Sequence, residues 1–229
     1  MVSAGRTLDV DGTAMPSAHA LAELAARCDR AEDDGASGPL ILRVSGAPAP
    51  GWTAGIEVGA VSRWEWALRR LERLPAVTVA VASGDCGGAA LDAFLAADLR
   101  IAVAGTRLLV STDGEATWPG MALFRLARQG GAAVRGAVLF GRPIDTAWAL
   151  ALGIVDEVAE SPETAVRLGA DLAGDASGRE VAIRRRLMSD ALTSTFEDAI
   201  GPHLAACDRS LRRVRERAAA VPAPAGGAS

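Results

Sequence analysis

Several groupings of residues in this chain have types and spacings that could do chemistry. Gly84 to Gly88 form a glycine-rich turn that leads into a helix starting at Ala89. A helix start leaves backbone N–H groups without partners, and the aligned peptide dipoles make it attractive to negative charge. Such a turn can hold an oxyanion, or it can be an ordinary strand-to-helix connection. Asp92 follows in what reads as the first turn of that helix. There it is either an acid/base group or a carboxylate favoured by the dipole, which would lower its pKa and make it a poor acid. A second loop, residues 45–55, is dense in Gly, Pro and Ala. Trp52 and Trp118 flank the two loops, as an aromatic wall for a bound apolar group or as plain core packing. Asp113 and Glu115 read as solvated loop charges, with a role as a further carboxylate the lesser alternative.

Other chemistries find little support. The chain has no Lys, which removes a Schiff base or lysine general base. Cys28, Cys86 and Cys207 are an odd number with no metal spacing, and His19 and His203 lie far apart. Arg69, Arg70 and Arg73 offer charge for phosphates, although a solvated helix face is the better reading. A net charge of −4 with interspersed signs argues against nucleic acid. No leader pattern and no membrane-length apolar run is visible, so a reduced, cytoplasmic setting without membrane partners is expected.

The elements that must position these residues alternate. Residues 6–11 read as a strand, Ala18 to Arg30 as a helix closed by Gly35 and Gly38, and Leu40 to Val44 as a buried strand. Glu57 to Leu74 reads as a helix stopped by Pro75, Val77 to Ala82 as a second buried strand, and Ala89 to Ala97 as a helix. At a spacing of two, Trp64 and Trp66 cannot share a helix face, so one packs inward. Leu99 to Val103 and Arg107 to Val110 read as strands. Strand and helix in turn imply an α/β fold with parallel strands and crossover helices. After Pro119-Gly120 the helices 121–129, 132–139, 145–152 and 164–172 follow, with 154–158 extended, and 178–217 reads as two helices broken near Ser194.

The order of these motifs resembles the enoyl-CoA hydratase/isomerase (crotonase) family. Leu74-Pro75-Ala76-Val77-Thr78-Val79-Ala80-Val81 is similar to that family's approach strand, and Gly84 to its turn glycine. Gly87-Gly88-Ala89-Ala90-Leu91-Asp92 stands where the family has a glycine run followed by a carboxylate. Ala97-Asp98-Leu99-Arg100-Ile101-Ala102, Trp118-Pro119-Gly120, Leu139-Phe140-Gly141-Arg142-Pro143-Ile144 and the stretch Ala149 to Val158 continue the likeness. Trp52-Thr53-Ala54-Gly55-Ile56-Glu57 is a weaker match upstream. The resemblance implies a crotonase-like (ClpP/crotonase) ββα spiral core over 1–159, a helical trimerisation region over 160–217, and a tail over 218–229 that its low complexity marks as disordered. It also implies an acyl-CoA thioester whose carbonyl lies between the N–H groups of Ile56 and Ala89.

By the same resemblance, Asp92 takes the place of the first of two catalytic glutamates, and Trp52, Ala54, Gly55, Gly88, Thr112, Trp118, Pro119 and Gly120 line the substrate site. Thr112 holds the place of the second glutamate and cannot do carboxylate chemistry, which puts two-glutamate water addition in doubt. No metal or redox cofactor is implied, since CoA enters as part of the substrate. A serine protease of the related Clp type would need a Ser–His pair, and neither histidine follows Ser83 at a suitable distance. Within the family, the stretches 83–88, 117–123 and 203–209 most resemble the auxiliary hydratase-like protein of 3,5-dihydroxyphenylacetyl-CoA biosynthesis. That likeness implies a type III-like polyketide synthase and a second hydratase as partners, and a homotrimer or hexamer. Two activities are consistent with it: dehydration or tautomerisation of a polyketide-derived thioester, and a binding role that assists a partner enzyme.

Overall fold

The computed structural model describes residues 6–33 and 38–220. The expected closure of the first helix at Gly35 lies outside the described residues, as do residues 221–229 of the tail. Residues 218–220, expected to be disordered, continue the last helix.

Strand and helix alternate through the first half: β1 (Thr7–Asp11), α1 (Ala18–Asp33), β2 (Leu40–Gly46), α2 (Val58–Leu71), β3 (Thr78–Gly87), α3 (Gly88–Leu95) and β4 (Leu99–Val103). The four strands pair in parallel in that order, and β7 (Glu157–Ala159) adds to the outer side of β4. The sheet is covered on both faces, which is why its strands read as apolar runs without alternation. Leu40, Leu42 and Val44 face one core with Leu24, Cys28, Trp64 and Leu68 of the α1–α2 layer. Ile41, Val79, Val81 and Ile101 face the other, with Ala165 and Ala173 of α7 (Pro162–Ala173). Gly169 of α7 presses on the sheet so closely that an added Cβ would lie 2.5 Å from Val79 Cγ1.

β3 changes partner along its length. Val79–Ala82 pair with β4, while Asp85–Gly87 pair with β5 (Arg107–Leu109). The switch falls at Gly84, where φ is +65°, and the register against β2 slips between Ser45 and Gly46. A bulge of this kind re-aims a strand, and here it delivers Gly87 and Gly88 to the start of α3. The bidentate pair Arg107–Asp85, at 2.7 and 2.8 Å, ties β5 to the redirected half. At the other end of α3, Asp98 Oδ2 accepts from the Thr78 N–H and hydroxyl, both at 2.9 Å, which pins the turn into β4.

The region after β5 differs from expectation in detail. α4 (Met121–Gly130) is followed by a 3-10 turn, Gly131–Val134, before α5 (Arg135–Phe140), where one continuous helix over 132–139 was expected. A second paired stretch, β6 (Ile144–Asp145), runs antiparallel to β5 and is too short to carry a periodic signal. α6 (Thr146–Ala151) is capped by Asp145, which accepts from the Trp148 N–H at 2.8 Å. Ser161 caps α7 in the same way, with Pro162 in its first turn.

The chain divides into two compact units, up to Ala182 and from Ile183, so the boundary falls within α8 (Gly178–Ala191), not at residue 160. α7 belongs to the first unit because it buries its small residues on β3 and β4. The second unit holds the end of α8 and α9 (Phe196–Ala220), and it exposes Met188, Leu192, Phe196, Ile200, Leu204 and Leu211. Among the described residues, no helix is long and apolar enough to cross a membrane.

Candidate active site

The start of α3 is the floor of the site. Gly88 has φ +51°, and a Cβ there would meet Gly12 O and Pro48 Cγ at 2.7 Å, so only glycine fits. The Gly88 N–H donates to Ser111 Oγ at 3.0 Å. The N-cap residue Gly87 has no side chain to take up the next N–H, that of Ala89, which is left open at the positive end of the helix dipole.

Ala89 and Gly88 line a small cavity together with Asp92, Trp52, Trp118, Trp64, Glu65 and Ser111. Its free volume is about 20 Å³, where one water needs roughly 10–15 Å³. Trp52 and Trp118 meet edge to face, with ring centroids 5.2 Å apart. The Trp52 indole N–H donates to the Thr112 carbonyl at 2.9 Å. Both tryptophans therefore form a wall of the cavity.

Asp92 is the fifth residue of α3, one residue further in than the sequence reading placed it and just past the first turn, where the dipole effect weakens. Its side chain is 16% exposed, and Oδ1 has no contact with solvent and no hydrogen-bond partner. Burial pushes its pKa up to about 7, with the nearby Glu65 charge adding to the rise and Arg125 opposing it. The expected lowering by the helix dipole is thus reversed, because desolvation outweighs it. Trp64 lies close enough for its indole N–H to favour the ionised carboxyl, yet that N–H is itself buried without a formed hydrogen bond.

A charged cluster surrounds this carboxyl. Arg125 of α4 is 6% exposed; its Nη1 lies 3.0 Å from Glu65 Oε2 and 3.8 Å from Asp92 Oδ1, and its Nε 2.8 Å from Glu72 Oε1. Burial raises the Glu65 pKa against the pull of Arg125, whereas for Glu72 the pull of Arg125 and Arg69 overcomes burial and the pKa falls.

The other residues expected at the site lie elsewhere. Residues 49–56 close as a chain of tight turns in which Ile56 N–H donates to Thr53 O, and Ala54 N–H to Gly51 O, both at 3.1 Å. Gly51 and Gly55 each take φ +80° to allow this. The Ile56 donor is therefore engaged, and Ala54, Gly55 and Ile56 are not among the cavity-lining residues. Thr112 is exposed and bridges to Thr117, so its side chain is outside and only its carbonyl serves, by holding Trp52. Pro119 and Gly120 are also not among the lining residues, and Gly120 instead lets the chain fold back on Trp118, whose ring would lie 2.8 Å from a Cβ there. Asp113 is a turn carboxylate, accepting from the Glu115 and Ala116 N–H groups. Arg69 and Arg70 are engaged with Glu72, Asp29 and Glu32. His19 and His203 are exposed on α1 and α9.

Sequence reasoning missed Glu65, Trp64 as a site residue, Ser111 and Arg125. The signal was present on two helices. Val61, Trp64, Glu65 and Leu68 share the inward stripe of α2, and Ala122, Arg125 and Leu126 that of α4. A charge on such a stripe is either paired in the interior or functional.

No protein-family model matches the chain. It is 53% identical over 207 residues to a protein named enoyl-CoA-hydratase from Amycolatopsis orientalis, a match covering 90% of this chain and 95% of that one. Its fold is similar to that of an enoyl-CoA hydratase from Mycobacterium smegmatis, with a TM-score of 0.74 at 17% identity over 91% of this chain and 88% of the other. It is also similar to an enoyl-CoA hydratase/isomerase from Marinobacter aquaeolei, with a TM-score of 0.73 at 16% identity over 92% and 90%. The bent parallel sheet, the glycine turn feeding a helix N-terminus, and identity at more than half of the aligned positions with the Amycolatopsis protein place this chain in the enoyl-CoA hydratase/isomerase (crotonase) family.

Proposed function

We propose that this protein is a lyase of enoyl-CoA hydratase type that dehydrates or tautomerises a polyketide-derived acyl-CoA thioester on the way to 3,5-dihydroxyphenylacetyl-CoA, as in dihydroxyphenylglycine and glycopeptide-antibiotic biosynthesis. The observation that carries this reading is the Asp92 carboxyl, poised near neutrality in the same cavity as the open Ala89 N–H. The N–H and the helix dipole behind it would polarise a thioester carbonyl and stabilise the enolate formed when the α-proton leaves. A carboxyl with a pKa near the working pH can give or take a proton in that step. The name of the Amycolatopsis relative supports the thioester class, and the stretches 83–88, 117–123 and 203–209 support the aromatic product. A type III-like polyketide synthase and a second hydratase would be its partners. We place the protein in the cytoplasm, without a cofactor beyond the CoA of the substrate. The apolar side chains exposed on α9 support a homotrimer or hexamer.

A second reading is a thioester-binding protein that assists a partner synthase or hydratase. It is favoured by the engaged Ile56 N–H and by a cavity with room for little more than one water. Malonyl-CoA and the synthase, incubated with this protein or with Asp92→Asn and followed by mass, separate the two. Stimulation by the native protein alone supports catalysis by Asp92, and equal stimulation by both supports the binder. No stimulation by either refutes the pathway assignment.

A further inference from the structure

We propose that Glu65 is the second carboxylate of this site: the base that takes the thioester α-proton while Asp92 delivers a proton to the departing oxygen. The inference rests on the lyase reading above and names the group that Thr112 cannot supply. Both side chains line the cavity, Glu65 from α2 and Asp92 from α3, so they approach the bound thioester from different elements. One guanidinium nitrogen of Arg125 serves both, at 3.0 Å from Glu65 and 3.8 Å from Asp92. The closer contact places the negative charge on Glu65. Asp92, whose Oδ1 is more distant from Arg125 and has no hydrogen-bond partner, keeps the proton, and burial raises both carboxyls toward the range where transfer is useful. The remaining titratable groups around the pair are Glu72 on α2, which binds the far side of Arg125, and Cys86 on β3, whose thiol burial keeps neutral.

The step balances without an outside reagent. The C2–H proton of a 3-hydroxyacyl thioester passes to Glu65, and its electron pair forms the C2=C3 double bond. The C3–O bond breaks, and the oxygen leaves as water carrying the Asp92 proton. Glu65 ends protonated and Asp92 ionised, and return of one proton from Glu65 to Asp92 resets the pair.

The test compares the full-length protein with Glu65→Gln, Glu65→Asp and Glu72→Gln. The probes are 3-hydroxybutyryl-CoA for dehydration and butyryl-CoA in D2O for deuterium uptake at C2. Loss of one acid/base group costs roughly 100-fold or more in rate. Glu65→Gln is expected to lower kcat by about that factor with KM little changed, to abolish deuterium uptake, and to remove the acidic limb of the pH profile. Glu65→Asp restores that limb at reduced rate, which keeps the test valid should the Gln variant fold poorly. Glu72→Gln, which alters Arg125 from outside the cavity, stays within a few-fold of the native rate. Native turnover with Glu65→Gln unimpaired, or equal losses in Glu65→Gln and Glu72→Gln, overturns the role of Glu65 and leaves the lyase reading standing. A native protein that neither dehydrates nor exchanges overturns both.

Discussion

Asp92 should make this protein less stable as the pH rises, and Asp92→Asn should remove that cost. The carboxyl has its pKa raised from 3.8 to about 7, with burial the main cause. Below pH 3.8 it is protonated in both folded and unfolded chains and contributes no pH dependence. Between 3.8 and about 7 the unfolded chain releases the proton while the folded chain keeps it, so stability falls with rising pH. Each unit is worth about 1.36 kcal/mol, so roughly three units give a penalty of about 4 kcal/mol above pH 7. Asparagine has the same shape and no charge to desolvate, and Arg125 retains Glu65 and Glu72 as partners. Urea denaturation of the two proteins at pH 4.5 and pH 8 is the measurement. The variant should gain little at pH 4.5 and about 2–4 kcal/mol at pH 8, while thioester turnover is lost. A gain independent of pH, or a loss at pH 8, would refute the argument that the carboxyl is held in an environment that resists its charge.

Arg125→Met leaves Glu65 buried without its cation and Glu72 with Arg69 alone, and we expect a loss of about 3–5 kcal/mol near neutral pH that shrinks as the carboxylates protonate, read from urea midpoints across pH. Gly169→Ala puts a methyl group 2.5 Å from Val79 Cγ1 and 3.1 Å from Ile101 Cδ1; a drop of about 1–3 kcal/mol is expected, with no effect on pH dependence. Trp52→Phe deletes the N–H that holds the Thr112 carbonyl. A lost hydrogen bond of about 1 kcal/mol should weaken thioester binding about fivefold by calorimetry, with kcat nearly unchanged.

The fold was legible because the two-sided sheet writes itself into the sequence. Leu40–Val44 and Val77–Ala82 are continuous apolar runs set between helical segments, and that pattern has few other solutions. What stayed hidden were features decided by tertiary contacts. β6 is two residues long and exists because β5 offers it an edge. The break at Gly130-Gly131 falls between the two helices expected there, but the second one opens as a 3-10 turn over Gly131–Val134, which apolar spacing does not distinguish from an α-helical start. The unit boundary depends on α7 finding small-residue contacts on β3 and β4, which no local pattern records.

The site divides along the same line. Backbone chemistry was partly readable: the glycine turn, the helix start and the nearby carboxylate follow from residue types in order, whereas Ala89 as the donor came from the family resemblance. Electrostatics was not, because the charge state of Asp92 is set by α2 and α4, far from it in sequence. Helix dipole and burial act on this carboxyl in opposite directions. The dipole acts over the first turn and is worth a few tenths to about 1 kcal/mol at an exposed site. Desolvation of a buried carboxyl shifts a pKa by up to 3–5 units, or roughly 4–7 kcal/mol. Once Asp92 sits at the fifth position of α3 beneath Trp64, the larger effect decides. Charges on the inward stripes at Glu65 and Arg125 were the sequence-level warning that this interior was polar. Weighed against the vacancy at Thr112, they shift the search for a proton-transfer partner from the loop after β5 to the helix facing it.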